Sequence, residues 1–229
     1  MTTKHSGPLE AASFPERLCA RVVTPGNDPR LHGYDIESDL AAHYTTSELT
    51  LLSLTGELPS EEALAMFEVA STFLAPVSVA HASTHAAVVA RLCGATTSTT
   101  IGTAAIGLAE QARALLDEHD ALLRWLRKPT DELPAPFRTE GADDRASVER
   151  LRALLSKRGF MLRSLDLRPT RMAALVMLLH AAGLRRRERI EAAIVLSRMP
   201  AVIAEALAER ATNFGNYPMN LPRFSYEEG

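Results

Sequence analysis

From about residue 35 onward, apolar residues recur at three- and four-residue spacing, the period of an amphipathic helix. Glycines, prolines and small polar residues separate these segments and mark where helices begin or end. Residues 31–36 are predicted to form a short strand with a kink at Gly33. No longer segment has the two-residue alternation of a half-buried strand. The pattern therefore predicts an all-α fold.

Several predicted helices have recognisable ends. A Thr or Ser cap, at Thr46 or Ser47, precedes the apolar run 49–54, which stops at Gly56. Ser60 is predicted to cap the next helix, which Pro76 interrupts. The remaining predicted helices are residues 83–92, 101–125, 143–156, 169–182 and 188–211. Val148, Leu151, Leu154 and Leu155 are expected on one face of the third of these, and the last is expected to be interrupted near Pro200. A polar step is predicted at 96–100 and a loop at 128–141.

Composition excludes several classes of protein. The 229 residues are 46% hydrophobic and 23% charged, which fits a globular chain and not a disordered one. A net charge of −3 and 5% aromatic residues argue against nucleic-acid binding. Cys19 and Cys93 suggest neither a disulfide framework nor a zinc site. Without an 18-residue apolar run or a signal-peptide pattern, no membrane association and a cytoplasmic location are expected.

Several motifs together resemble the citrate synthase superfamily, including its short citryl-CoA lyase-like members. The most specific are GYDI at 33–36 and LTGELPS at 54–60. The others are DLA at 39–41, ASTHAA at 82–87, TAAIG at 103–107, SRMPAVIAE at 197–205 and LPRFSY at 221–226. The resemblance implies a two-lobed helical fold that works as a dimer. In that family, an organic acid and an acyl-CoA meet between the lobes, where a carbon–carbon bond is formed or, in citryl-CoA, broken.

The resemblance also implies a division of the chain into four parts. Residues 1–25 would be a tail and residues 26–140 a large helical domain. Residues 141–199 would be a reduced small domain. Residues 200–229 would be a C-terminal helix and an arm that returns to the large domain.

The catalytic groups that the resemblance implies are missing from the aligned positions. The family uses one Asp as base and two His as donors to developing negative charge. Val77 and Ser78 stand where one Asp-His pair is expected, and no His follows Gly107 in the second motif. Met172 stands where the catalytic carboxylate is expected. Since none of these replacements can serve as the base, loss of the family chemistry is expected.

Some residues remain as candidates for function. Arg198 matches a family arginine that binds the carboxylate of the organic acid, although a structural ion pair with Glu205 or Asp166 is an equal alternative. Arg145 matches an arginine of the shortened loop that binds coenzyme A. The remaining candidates for substitute catalytic groups are His81, His85 and Asp166.

Three other features have structural interpretations. His81 and His85 share a helix face, as metal ligands do, but no third ligand is apparent and a helix N-terminus is the preferred interpretation. No metal or resident cofactor is therefore expected, although a CoA thioester could be a ligand. His180 lies in an apolar segment and is expected to be a core or interface histidine. The arginine-rich run 185–189 is expected to be a solvated helix start.

Two hypotheses of function follow. In the first, the chain is a non-catalytic homologue: a homodimeric scaffold, a sensor of a di- or tricarboxylic acid or acyl-CoA, or a partner subunit of an active paralogue. In the second, it is an active citrate synthase-like acyltransferase or citryl-CoA lyase with other catalytic residues. Whether a carboxylate and a histidine meet beside Arg198 discriminates between them. A third hypothesis, an unrelated helical interaction domain, requires the GYDI and GELP motifs to be coincidences.

Overall fold

The computed structural model describes residues 19–210, so most of the expected tail and arm, and the motif at 221–226, lie outside the described residues. The structure is 68% helical with one small sheet, which confirms the all-α prediction. The chain divides into two compact units at residues 57 and 58. The four-part division implied by the resemblance stays a prediction.

The first unit begins with a small antiparallel sheet. Its strands are β1 (Val23–Thr24), β2 (Arg30–Leu31) and β3 (Tyr34–Asp35), in the order β1-β2-β3. The prediction of a single strand over residues 31–36 is wrong, because the chain reverses between β2 and β3. His32 and Gly33 have φ of 49° and 89°, and a two-residue hairpin turn of this type needs positive φ at both positions.

Local hydrogen bonds begin each helical segment of this unit. The Asp35 carboxylate accepts from the backbone N–H groups of Glu37 (3.0 Å) and Ser38 (2.7 Å), at the start of the π-helical turn Ile36–Leu40. Hydrogen bonds from Ser38 lower the pKa of Asp35. The GYDI motif thus contains a helix cap.

Two helices complete the first unit: α1 (Ala41–His43) and α2 (Thr46–Thr55). Thr45 caps α2 and forms a reciprocal capping box with Glu48, one residue earlier than predicted. Gly56 ends α2 in the left-handed conformation, at φ 86°, as the sequence predicted.

The second unit contains the remaining helices of the described chain. They are α3 (Glu61–Leu74), α4 (Ala82–Leu92), α5 (Thr97–Glu118), α6 (Asp120–Arg127), α7 (Ala142–Lys157), α8 (Arg171–Ala181) and α9 (Arg187–Ala208). Ser60 caps α3, as predicted, and short 3-10 turns occupy Ala135–Phe137 and Arg163–Leu167.

The structure corrects several predicted helix details. Residues 97–100 are not a step between helices but the first turn of α5, because the Thr96 hydroxyl accepts from the Thr99 N–H. The helix predicted over 101–125 is broken at His119. The interruption expected near Pro200 is absent, since α9 continues through it. Leu154 does not share the buried face of α7: it is 39% exposed.

Two groups of helices pack in the second unit. Helices α4, α5 and α9 pack pairwise around small side chains, and α3 packs against α7, α8 and α9. The buried cluster between α4, α5 and α9 contains Ala87, Val88, Ala104, Leu108, Val202 and Ala206. Helix α8 is buried along almost its whole length, as its apolar sequence predicted.

The arginine-rich run is less solvated than expected. Arg187 contacts Asp117 at 2.6 Å and donates to the Arg113 carbonyl at 3.0 Å, so it satisfies the carboxyl end of α5. Arg185 donates to Nδ1 of His180 at 2.7 Å. His180 is 8% exposed, which confirms it as a core histidine.

His180 should make stability depend on pH. Burial, then the charges of Arg185 and Arg127, lower its pKa to about 4 from 6.5. Between pH 6.5 and about 4, His180 is therefore protonated in the unfolded chain but neutral in the folded chain. The unfolding free energy should fall as the pH drops through this range. The slope from this group is at most about 1.4 kcal/mol per pH unit.

Urea unfolding of the wild type and of His180→Gln across this pH range measures the effect. The variant cannot titrate at this position, so its stability should fall less steeply. Equal slopes for the two proteins would contradict the assignment.

Candidate functional site

A cavity of about 420 Å³ lies among five helices of the second unit. Its polar lining residues come from four separate segments: the N-cap of α4, the first turns of α7 and α8, and the middle of α9. The end of α3 and the chain after it supply apolar wall. The lining residues are Phe73, Leu74, Pro76, His81, Asp144, Thr170, Arg171, Met172, Leu175 and Arg198.

Arg198 is the half-buried cation of this cavity. Its Nε is buried and has no hydrogen-bond partner. Burial lowers the pKa of the guanidinium. Within residues 19–210, no carboxylate lies within ion-pair distance of it, so neither Glu205 nor Asp166 is its partner. A buried cation without a partner is costly, which makes this group ready to accept an anion.

A hydrogen bond holds together Asp144 in the first turn of α7 and Arg171 in the first turn of α8. The Asp144 Oδ1 accepts from the backbone N–H of Arg171 at 3.2 Å, one of the free donors at the start of α8. The Arg171 guanidinium donates to the Phe73 carbonyl at 3.1 Å, which ties α8 to the end of α3. The other N–H groups of this guanidinium have no hydrogen-bond or ion-pair partner among residues 19–210. The cavity therefore has two guanidinium groups and one carboxylate.

Of His81 and His85, His81 alone lines the cavity. His81 occupies the N-cap position of α4, where its side chain makes no capping hydrogen bond, and it lines the cavity. His85 is exposed one turn further along α4 and does not line the cavity. Within the described chain, no three His, Cys, Asp or Glu side chains come together as metal ligands.

The other two candidates line a second cavity of about 400 Å³. Arg145 and Asp166 face it together with Arg168. Asp166 is paired with Arg152 at 2.6 Å and does not line the cavity of Arg198. Arg168 is in the left-handed conformation, at φ 54°. The predicted carboxylate and the predicted clamp are therefore not brought together.

The structure adds two residues that sequence reasoning missed. Asp144 and Arg171 each lie in the first turn of a helix, next to a residue already considered: Arg145 in one case and Met172 in the other. The sequence feature that could have indicated Asp144 is the acidic pair at residues 143 and 144, in the first turn of α7 and shortly after a glycine. A carboxylate and a histidine do therefore line one cavity with Arg198.

Among the described residues, no helix is both long and apolar enough to cross a bilayer.

Comparison with solved structures identifies the architecture. Citryl-CoA lyase from Hydrogenobacter thermophilus matches with a TM-score of 0.66 and 16% identity, over 93% of this chain and 97% of that one. ATP citrate lyase from Methanothrix soehngenii, solved in complex with citrate and coenzyme A, matches with a TM-score of 0.56 and 12% identity. That match covers 95% of this chain and 43% of the other.

At sequence level, neither a protein-family model nor a curated protein matches. The relation is visible only in the motifs and in the three-dimensional arrangement of the helices. The fold that the sequence resemblance implied is confirmed by the two structural matches. The chain thus has the helical fold of citryl-CoA lyase.

Proposed function

We propose that this chain binds a small di- or tricarboxylic acid at Arg198 and does not carry out acyl-CoA condensation or cleavage. The observation that carries the proposal is the Arg198 guanidinium, whose buried Nε has no partner while the group faces a cavity. Arg171 lines the same cavity and adds a second guanidinium. Two such groups suit a ligand with two carboxylates, since each guanidinium can bind one of them bidentately.

Met172 is the observation that supports loss of catalysis, although a carboxylate and a histidine, those of Asp144 and His81, line the cavity beside Arg198. Met172 lies on the cavity wall where the resemblance implies the carboxylate base, and a thioether cannot remove a proton. A positioned general base accounts for about 10²–10⁴ of rate. The similar ATP citrate lyase holds citrate and coenzyme A, which supports an organic acid as the class of ligand here.

A coenzyme A thioester and a second subunit belong to the same proposal. Arg145 would contact the thioester from the second cavity, which Arg152 and Arg168 also line beside the carboxylates of Glu149 and Asp166. A homodimer, or a pair with a related active subunit, is the assembly that belongs to this proposal.

One observation favours a second candidate function. His81 and Asp144 line the cavity of Arg198, so a histidine and a carboxylate are available for acid–base chemistry. In this alternative, the chain is a citryl-CoA lyase or a related acyltransferase, with Asp144 in the role that Met172 cannot fill.

Two measurements test the proposal. Isothermal titration calorimetry with citrate and with succinate should show binding to the wild-type protein, which would raise the melting temperature by mass action. An assay of free thiol with acetyl-CoA and oxaloacetate, and of citryl-CoA cleavage, should show no turnover above the buffer rate.

Absence of heat with both acids at millimolar concentration would reject the binding proposal. Turnover that His81→Ala and Asp144→Asn each reduce would instead establish the second candidate.

A further inference from the structure

We propose that the acid bound beside Arg198 is an acidic amino acid, with two carboxylates and one ammonium group, such as aspartate or glutamate. This inference rests on the proposed function, because it specifies the ligand of the same cavity. It follows from the charges on the cavity wall: two guanidiniums, of Arg171 and Arg198, and one carboxylate, of Asp144. The ligand complementary to these three groups carries the opposite three charges.

Asp144 is the lining residue that would not be expected in a site for a simple polycarboxylate, because it carries a negative charge itself. Its Oδ1 accepts from the Arg171 N–H, and within residues 19–210 no basic side chain lies within 4.0 Å of either carboxylate oxygen to form an ion pair. The backbone donor satisfies part of one oxygen, and the rest of the carboxylate is available to the cavity. A ligand carboxylate beside it would be repelled, whereas an ammonium group would be attracted and hydrogen-bonded.

Apolar side chains fill the walls between the charged groups. Phe73, Leu74 and Leu175 line the cavity, and Met172 is next to Arg171 on α8. These surfaces suit the one or two methylene groups that separate the charges of an acidic amino acid. Met172 in place of a carboxylate also removes a second negative charge, so Asp144 is the one carboxylate that residues 19–210 contribute to the cavity wall.

The test compares two ligands that differ by the ammonium group alone. Calorimetry measures the dissociation constants of succinate and L-aspartate for the wild type, and of glutarate and L-glutamate as a second matched pair. We expect the amino acid of at least one pair to bind about tenfold more tightly than its dicarboxylate, because an ion pair replaces a repulsion.

Variants of two neighbouring aspartates locate the effect. Asp144→Asn should reduce the preference for the amino acid to less than about twofold and should tighten succinate binding, because the repulsion is removed. Asp143→Asn is the matched control: Asp143 is exposed in the same turn of α7 and does not line the cavity, so the preference should persist.

The outcomes separate this inference from the proposed function. If the wild type binds both succinate and glutarate at least as tightly as the matching amino acids, the amino-acid inference is overturned and the binding of carboxylic acids stands. If no ligand of either pair, nor citrate, binds, the proposed function fails as well. A preference that survives in Asp144→Asn, with the variant shown to be folded by circular dichroism, also overturns the role given to Asp144.

Discussion

Replacing Arg198 with methionine should abolish binding of carboxylic acids and, at the same time, stabilise the ligand-free protein. The guanidinium is half-buried, its Nε has no partner, and burial already lowers its pKa. Removing a charged group that binds a ligand carboxylate typically costs about 2–5 kcal/mol, so the dissociation constant should rise about thirtyfold or more. Methionine is of similar length and needs no hydrogen bond, so the unfolding free energy should rise by about 1 kcal/mol.

Calorimetry and urea unfolding of the same preparation measure the two effects. Arg145→Met is the matched control, because Arg145 is exposed at the second cavity and does not line the first one. It should leave both the affinity for succinate and the unfolding free energy nearly unchanged. An Arg198→Met protein that binds the acid as tightly as the wild type, or that unfolds at a lower urea concentration, would contradict the argument.

Gly107→Ala should destabilise the protein strongly although alanine favours helices. A Cβ at this position would lie 2.9 Å from the Cα and 3.0 Å from the Cβ of Ser83, on the facing helix α4. The contact involves backbone, so α4 and α5 must move apart to relieve it. Overpacking of this kind costs about 1–3 kcal/mol, against a gain of about 1 kcal/mol in helix propensity. Because the contact is with backbone, we expect the upper part of that range and a net loss of up to about 2 kcal/mol in the unfolding free energy.

Gly102→Ala provides the control within the same helix. A Cβ there has no heavy atom within 4 Å, so the variant should gain part of the helix-propensity difference, about 0.5–1 kcal/mol. Urea unfolding should therefore place the two variants on opposite sides of the wild type. If both are stabilised, the helices are not in backbone contact at Gly107.

Local signals in the sequence predicted the fold well because helix ends are determined by neighbouring residues. Ser60 caps α3 and Gly56 ends α2 as expected, since each acts on the backbone within a few residues. The predictions of a non-helical step at residues 97–100 and of an interruption near Pro200 were wrong. Residues 97–100, three threonines and a serine, have low helix propensity, but the Thr96 cap and the packing of α5 override it. Pro200 is accommodated within α9.

The candidate site was less predictable because it depends on packing between distant segments. His81, Asp144 and Arg198 are separated by more than fifty residues at each step, and the packing of α7 and α8 against α3, and of α4 and α8 against α9, brings them to one cavity. Spacing in the sequence gives no measure of such proximity. Asp166 illustrates the same limit: near Met172 in the sequence, it pairs with Arg152 at another cavity.

The close approach of Gly107 to Ser83 also has a mechanical consequence. Where two helices touch backbone to backbone, no flexible side chain lies between them to absorb a shift, so α4 and α5 at this point behave as one stiff body. His81 precedes Ser83 by two residues, at the N-cap of α4. The packed pair of α4 and α5 therefore keeps its backbone in place without a ligand, so little conformational entropy would be lost there if a ligand occupied the cavity.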